Sequence, residues 1–284
     1  MGRFARSWAL VKLCWRVLQQ DKELVVFPIV STIGVLIVTA SFVVPGFFTG
    51  FWRGVGDNGA GVGLWVLIVL FYLVEYLVIV FFNAALVSAA IIRLEGDDPT
   101  LGDGLRGAWS HIGAILGYAA IAATVGLVLQ LLRERGGVAG VILAALGGMA
   151  WNIITFLVIP VLVVEGVGPV TAIKLSAGLL RKTWGEQIIG SAGIGLVFGL
   201  LGFAVGAVGV ALGVLAMSAG IVVRGIAVIG VAVIAIMVIS LLGATLRGIY
   251  SAAVYEYAVV GETGTFDKEM LAAAFQPKRS RRVI

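Results

Sequence analysis

Residues 170–213 read VTAIKLSAGLLRKTW, GEQ, then IIGSAGIGLVFGLLGFAVGAVGVALG. In the first part Val170, Ile173, Ala177, Leu180 and Trp184 recur at helical spacing, with Lys174, Arg181 and Lys182 off that stripe. Pro169 precedes it, where a missing N–H costs nothing. The last part is apolar throughout and long enough to cross a bilayer. A surface helix followed by a span recurs along the chain. In residues 3–18, Phe4, Trp8, Val11, Trp15 and Leu18 form one face, with Arg6, Lys12, Arg16 and Gln19 elsewhere, before an apolar segment from Leu24. Residues 100–109 place Leu101, Leu105 and Trp109 ahead of a span from Ile112. Gly102, Gly104 and Gly107 weaken that helix, while Pro99 and Thr100 mark its start. Residues 265–275 repeat the amphipathic pattern without a following span. The repetition predicts an all-α membrane protein: a six-transmembrane-helix bundle of three pseudo-repeated hairpins with cytoplasmic interfacial amphipathic helices.

Composition agrees. Hydrophobic residues make up 61% and charged residues 12% of the 284 residues, whereas a soluble domain carries about 25% charged residues. Apolar runs place the spans at 24–44, 64–82, 112–132, 138–157, 188–213 and 225–246. All of residues 1–284 then form a single integral membrane domain. The second, fourth and sixth helices are expected to continue past the hydrocarbon, to about Leu94, Val164 and Val260. Lys and Arg gather at the N-terminus, in the 93–106 and 174–182 loops and in the tail, while the other side holds Arg53, Arg133, Arg135 and Arg224. By the positive-inside rule both termini face the cytoplasm. The first span reads as a retained anchor rather than a signal peptide, having a charged amphipathic helix before it and no clear cleavage site.

An offset of 75 residues aligns Trp109 with Trp184 and superposes the spans that follow. The later span carries the stronger small-residue pattern: Gly195, Gly199, Gly202, Gly206, Gly209 and Gly213, alternating by 4 and 3. Such a seam lets helices approach closely, and close packing is the ordinary glue of membrane bundles. It is satisfied either within one protomer or by a second copy. The three repeats share one membrane sense, unlike the inverted repeats of many transporters.

No catalytic constellation is visible. His111 is the single His and Cys14 the single Cys, so neither a disulfide nor a transition-metal site of the usual ligand types is expected. A phosphate-binding glycine loop and a nucleophile–base pair of recognisable context are missing too. The chain reads as a non-enzyme without cofactor or metal. Glu75, halfway along the second span, is an intramembrane carboxylate and so a functional candidate. Tyr72, Tyr76 or Arg224 are its candidate partners, and its bland alternative is a hydrogen-bonded packing group. Asn83, Asn152 with Thr155, and Arg247 with Tyr250 fall at similar depth on the three even spans. They would line a shared polar cavity or, more simply, tie helices together. Arg93 with Glu95, and Glu165 with Lys174 or Arg181, are expected surface pairs, and Asp97-Asp98-Pro99 a solvated turn.

Cys14-Trp15-Arg16-Val17-Leu18-Gln19-Gln20-Asp21-Lys22-Glu23-Leu24, followed by Phe27-Pro28-Ile29, resembles the opening of an uncharacterised family of prokaryotic six-span membrane proteins. Lys182-Thr183-Trp184-Gly185-Glu186-Gln187 is similar to that family's later segment. The resemblance implies a multi-pass protein of the prokaryotic cell (inner) membrane, of unknown function, with no site residues to carry over. Arg6-Ser7-Trp8 and Lys174-Leu175-Ser176…Trp184 are more loosely similar to the membrane domain fused to some glycerophosphodiesterases. No phosphodiesterase domain accompanies them here, so that activity does not transfer.

The expected function is therefore organisation of lipid or of a membrane-protein partner at the cytoplasmic face. Trp8, Lys12, Trp15, Arg16, Trp109, Lys174, Arg181 and Trp184 would supply the lipid-interface contacts, preferring anionic headgroups. The basic balance points to these headgroups rather than to nucleic acid. The alternative is a small transporter or channel using Glu75.

Overall fold

The structure, a computed structural model, describes residues 14–48, 61–184, 188–218 and 222–259. Helix α1 (14–20) ends at Asp21, whose side chain accepts from Glu23 N at 3.1 Å and caps a 3-10 turn, Lys22–Val25. There follow α2 (Val26–Phe48), α3 (Val62–Glu95), α4 (Leu101–Ser110), α5 (Ile112–Arg135), α6 (Gly137–Ile154), α7 (Val158–Glu165), α8 (Pro169–Trp184), α9 (Ile188–Ser218) and α10 (Val222–Val259). Among the described residues, six helical stretches are long and apolar enough to cross a membrane: Lys22–Phe48, Val62–Glu95, Ile112–Arg135, Gly137–Glu165, Ile194–Ser218 and Val222–Glu256. The protein is a multi-pass all-α membrane bundle. The interfacial stretch 265–275, and Trp8 and Lys12 of the first one, lie outside the described residues.

Local chemistry explains the boundaries. α3 stops at Gly96 (φ 104°) and α7 at Gly166 (φ 61°), left-handed positions that suit a residue without Cβ. α4 starts with a reciprocal capping box in which Thr100 and Asp103 each bond the other's backbone N–H. That offsets the low helix propensity of its three glycines. Pro169 is the first residue of α8.

The fourth span departs from expectation. It continues toward residue 165, but as two helices separated by a turn at residues 155–157. Pro160 gives the reason: in a continuous helix its ring would clash with the Phe156 carbonyl and its missing N–H would leave that carbonyl unpaired. Ser176 of α8 staples the break, donating to Ile154 O at 2.6 Å and accepting from Leu157 N at 3.1 Å.

Helix α3 is central, packing on α2, α4, α5, α7 and α10, while α9 packs chiefly along α10. Its 34 residues rise about 51 Å against about 30 Å of hydrocarbon, so it overhangs the bilayer. The buried core lies at one end of the bundle. Its members include Leu24, Phe27, Leu86, Leu94, Ile115, Leu157, Leu162, Leu246 and Tyr250. On α3 no residue before Val80 is buried. We term this the packed end, which carries α1, α4 and α8; the opposite, open end holds the tight turn Gly136–Gly137 between α5 and α6.

Candidate functional site

Glu75 is half-buried on α3 and meets Thr39 of α2, whose Oγ1 lies 2.8 Å from Glu75 Oε1. The expected partners Tyr72, Tyr76 and Arg224 do not take that role among the described residues. Thr39 Oγ1 also lies 2.9 Å from Val35 O. A hydroxyl has one proton to donate, and the carbonyl can only accept. Thr39 therefore donates to one of the two oxygens at a time, and both contacts are satisfied together only when Glu75 itself donates. Tyr72 instead donates to Gln130 Oε1 of α5, and Gln130 Nε2 donates to Glu134 at 2.9 Å. Tyr76 lies against Gly126 of α5, where a Cβ would come 2.7 Å from its hydroxyl. At the open end Arg135 stacks over the Trp65 ring at 6.0 Å. These contacts bind α2, α3 and α5 into a row; they do not form a continuous polar path.

The polar set on the even helices is not joined by hydrogen bonds. Asn83, Asn152 and Arg247 are each exposed, and no hydrogen bond joins any two of them among the described residues. Thr155 Oγ1 bonds Trp151 O at 2.8 Å rather than Asn152. Arg247 Nε donates to Gly243 O of its own helix at 3.3 Å, while the Tyr250 hydroxyl is buried with no partner among the described residues. The side-chain amide of Asn83 does reach α10, its Oδ1 lying 3.7 Å from where a Cβ on Gly248 would sit.

The glycine seam divides. A Cβ at Gly213 would meet Ile229 at 2.5 Å, one at Gly209 would overlap Ala232, and one at Gly206 would lie 3.3 Å from Ile236. At Gly195, Gly199 and Gly202 no described atom lies within 4 Å of that position. Half of the row thus packs the α9–α10 hairpin, and half has no described neighbour.

At the packed end, Trp109 is 68% exposed yet rests edge-on against Phe81 of α3, centroids 6.1 Å apart. Trp15, Arg16 and Lys174 are exposed; the side chains of Arg181 and Trp184 fall outside the described residues. Cys14 is buried rather than facing lipid, and that burial pushes its thiol up to about 12. Asp21 is also buried. Burial moves its carboxyl above the usual range, against the pull of Glu23 N–H and the Arg93 charge. The Thr100 hydroxyl and N–H hold Asp103 below it. Arg93 pairs with Asp98 at 3.1 Å instead of Glu95, so the Asp97-Asp98 turn is tethered. Glu165 accepts from Tyr255 of α10 at 2.7 Å rather than from Lys174, and the Arg181 side chain lies outside the described residues.

His111 and Ser110 lie side by side, Oγ to Nδ1 3.0 Å, but both also face Gly107 O, at 2.9 Å each. Both groups therefore sit within reach of a helix-end carbonyl, a capping arrangement.

Three side chains escaped the sequence reading: Ser176, Thr39 and Gln130. Ser176 had a usable signal, since it falls in phase with Ile173 and Leu180 on the apolar stripe of α8. A polar residue on a buried stripe needs a partner. Thr39 and Gln130 had none, because their partners are set by helix packing.

Residues 62–266 match a family described as a family of unknown function (DUF6159). None of the curated proteins matches the chain.

Proposed function

Since the chain belongs to this family of unknown function, and its fold is a six-span bundle, we propose that it is a non-enzymatic membrane protein that organises anionic lipid or a partner protein. It would act at the cytoplasmic face of the prokaryotic cell (inner) membrane, both termini on that side. The observation that carries this reading is the packed end. There the molecule has its core, and around that core Trp15, Arg16, Arg106, Trp109 and Lys174 remain exposed on helices too short and too polar to span. Aromatic and basic side chains at headgroup level attract anionic lipid and acidic protein surfaces. The basic bias of this end favours the cytoplasmic orientation. Native mass spectrometry of protein extracted gently from its own membrane tests it. Wild type should carry anionic lipid or a stoichiometric protein, and Arg16→Glu/Arg106→Glu/Lys174→Glu should lose it; equal retention by the variant would sink the reading.

A second reading, a small transporter or channel, is favoured by the Glu75–Thr39 contact within the span. Proteoliposomes containing a pH-sensitive dye distinguish the two. Proton flux that disappears in a folded Glu75→Gln variant supports transport; no flux in wild type, or the same flux in the variant, ends it.

A further inference from the structure

We propose that the exposed strip of α10 lying between α3 and α9, centred on Arg247, binds the phosphate of an anionic phospholipid with Asn83 as second donor. The inference rests on the lipid-organising reading above and gives it a ligand site. At this level α10 meets its two neighbours through glycines. Gly248 abuts Leu86 and Asn83 of α3, and Gly243 abuts Phe198 of α9, where a Cβ would come 3.2 Å from the ring-bearing Cβ. Between those two contact faces, Ser240, Ala244 and Arg247 are exposed and recur at helical spacing, so they share one strip.

Arg247 follows the uncharged run 225–246, so it stands at the edge of the hydrocarbon. Its side chain folds back toward Gly243, into the apolar level instead of away from it. A guanidinium has five N–H donors. Among the described residues only Nε–H is used, and the ion pairs there, Arg93–Asp98 and Arg106–Asp103, do not include it. A cation at that depth is costly without an anion. Its planar fork matches a phosphate bidentately, and Asn83, exposed across the strip, adds an N–H₂.

The surroundings favour a lipid over a free anion. The α9 wall is apolar and faces outward, with Leu196, Leu200 and Phe203 exposed. Beside Phe198 the glycines at 195, 199 and 202 leave room for an acyl chain. Free phosphate would have to leave water to reach the same fork.

The test is titration of delipidated protein in neutral detergent with phosphatidylglycerol and with phosphatidylcholine, bound lipid being counted by native mass spectrometry. Wild type should prefer phosphatidylglycerol, and Arg247→Gln should weaken that binding about tenfold or more, the value of charge-assisted hydrogen bonds to one anion. Arg247→Lys should fall between. Asn83→Ala, a smaller perturbation of the fold, should lose part of the same preference and serves if Arg247→Gln fails to fold. Equal phosphatidylglycerol binding by wild type, Arg247→Gln and Asn83→Ala overturns the site. If Arg16→Glu/Arg106→Glu/Lys174→Glu then still lowers binding, the broader reading survives without it; if no variant or wild type prefers the anionic lipid, both fail. Displacement of the lipid by millimolar inorganic phosphate would assign the fork to a free anion and overturn the lipid assignment.

Discussion

The two halves of α3 are both largely apolar and have opposite surroundings. From Val62 to Ile79 none of its residues is buried; from Val80 onward Ala84, Ala85, Leu86, Val87, Ala89, Ala90 and Leu94 are. Both stretches are apolar, so hydrophobicity alone does not decide what is packed. Solvent does. In lipid an apolar side chain gains nothing by leaving its surroundings, and association depends on close fit and a few polar contacts. Beyond the hydrocarbon the same side chain is driven from water. Where the packed end overhangs the hydrocarbon it gains that drive in addition to close fit. The open half relies on point contacts such as Thr39–Glu75, Tyr72–Gln130 and Phe42–Phe71.

Glycine replacement tests this division most sharply. A side chain at Gly104 would press on Phe27 at 2.5 Å and the Ala85 carbonyl at 2.7 Å. Gly104→Leu should destabilise by about 3 kcal/mol, the upper range for overpacking. Gly230 has no described atom within 4 Å of its Cβ position, so Gly230→Leu should leave the midpoint of thermal unfolding in detergent unchanged or slightly raised. Equal losses from the two would dissolve the distinction between the ends. A smaller version runs within one helix: Gly209→Leu should cost about 2 kcal/mol by overlapping Ala232, and Gly199→Leu close to nothing. A loss at Gly199 would show that the second half of the seam is covered as well. Least of the three, Ser176→Ala should cost about 1–2 kcal/mol, because Leu157 N–H loses its partner. Faster amide exchange confined to residues 155–158 would show that the staple is local; an unchanged exchange pattern would remove it.

Much of the bundle was legible because length and periodicity act locally. The apolar runs located six spans, and the Pro99-Thr100…Asp103 signature marked α4 even though its glycines argue against a helix. The break in the fourth span was written in Pro160 but masked by the apolar run around it. Candidate sites were harder to read. Glu75 stood out because a carboxylate in a span is costly anywhere, yet its partner Thr39 is set by how α2 lies on α3. Asn83, Asn152 and Arg247 share a depth in the sequence, but depth says nothing of rotation about each helix axis, and no hydrogen bond joins any two of them among the described residues. The glycine row was read as one seam; α10 approaches only Gly206, Gly209 and Gly213 closely.

The uninterrupted course of α3 and α10 from hydrocarbon to packed end makes each a lever with its fulcrum at the membrane boundary. About 20 Å of α3 stands beyond the bilayer. Helices answer a change in bilayer thickness by tilting, and a tilt of about 10° moves the tip of such an arm by about 3–4 Å. Because α4 and α7 are packed against these arms, and α8 in turn on α7, a thinner or thicker membrane is converted into a sideways stroke of the packed end.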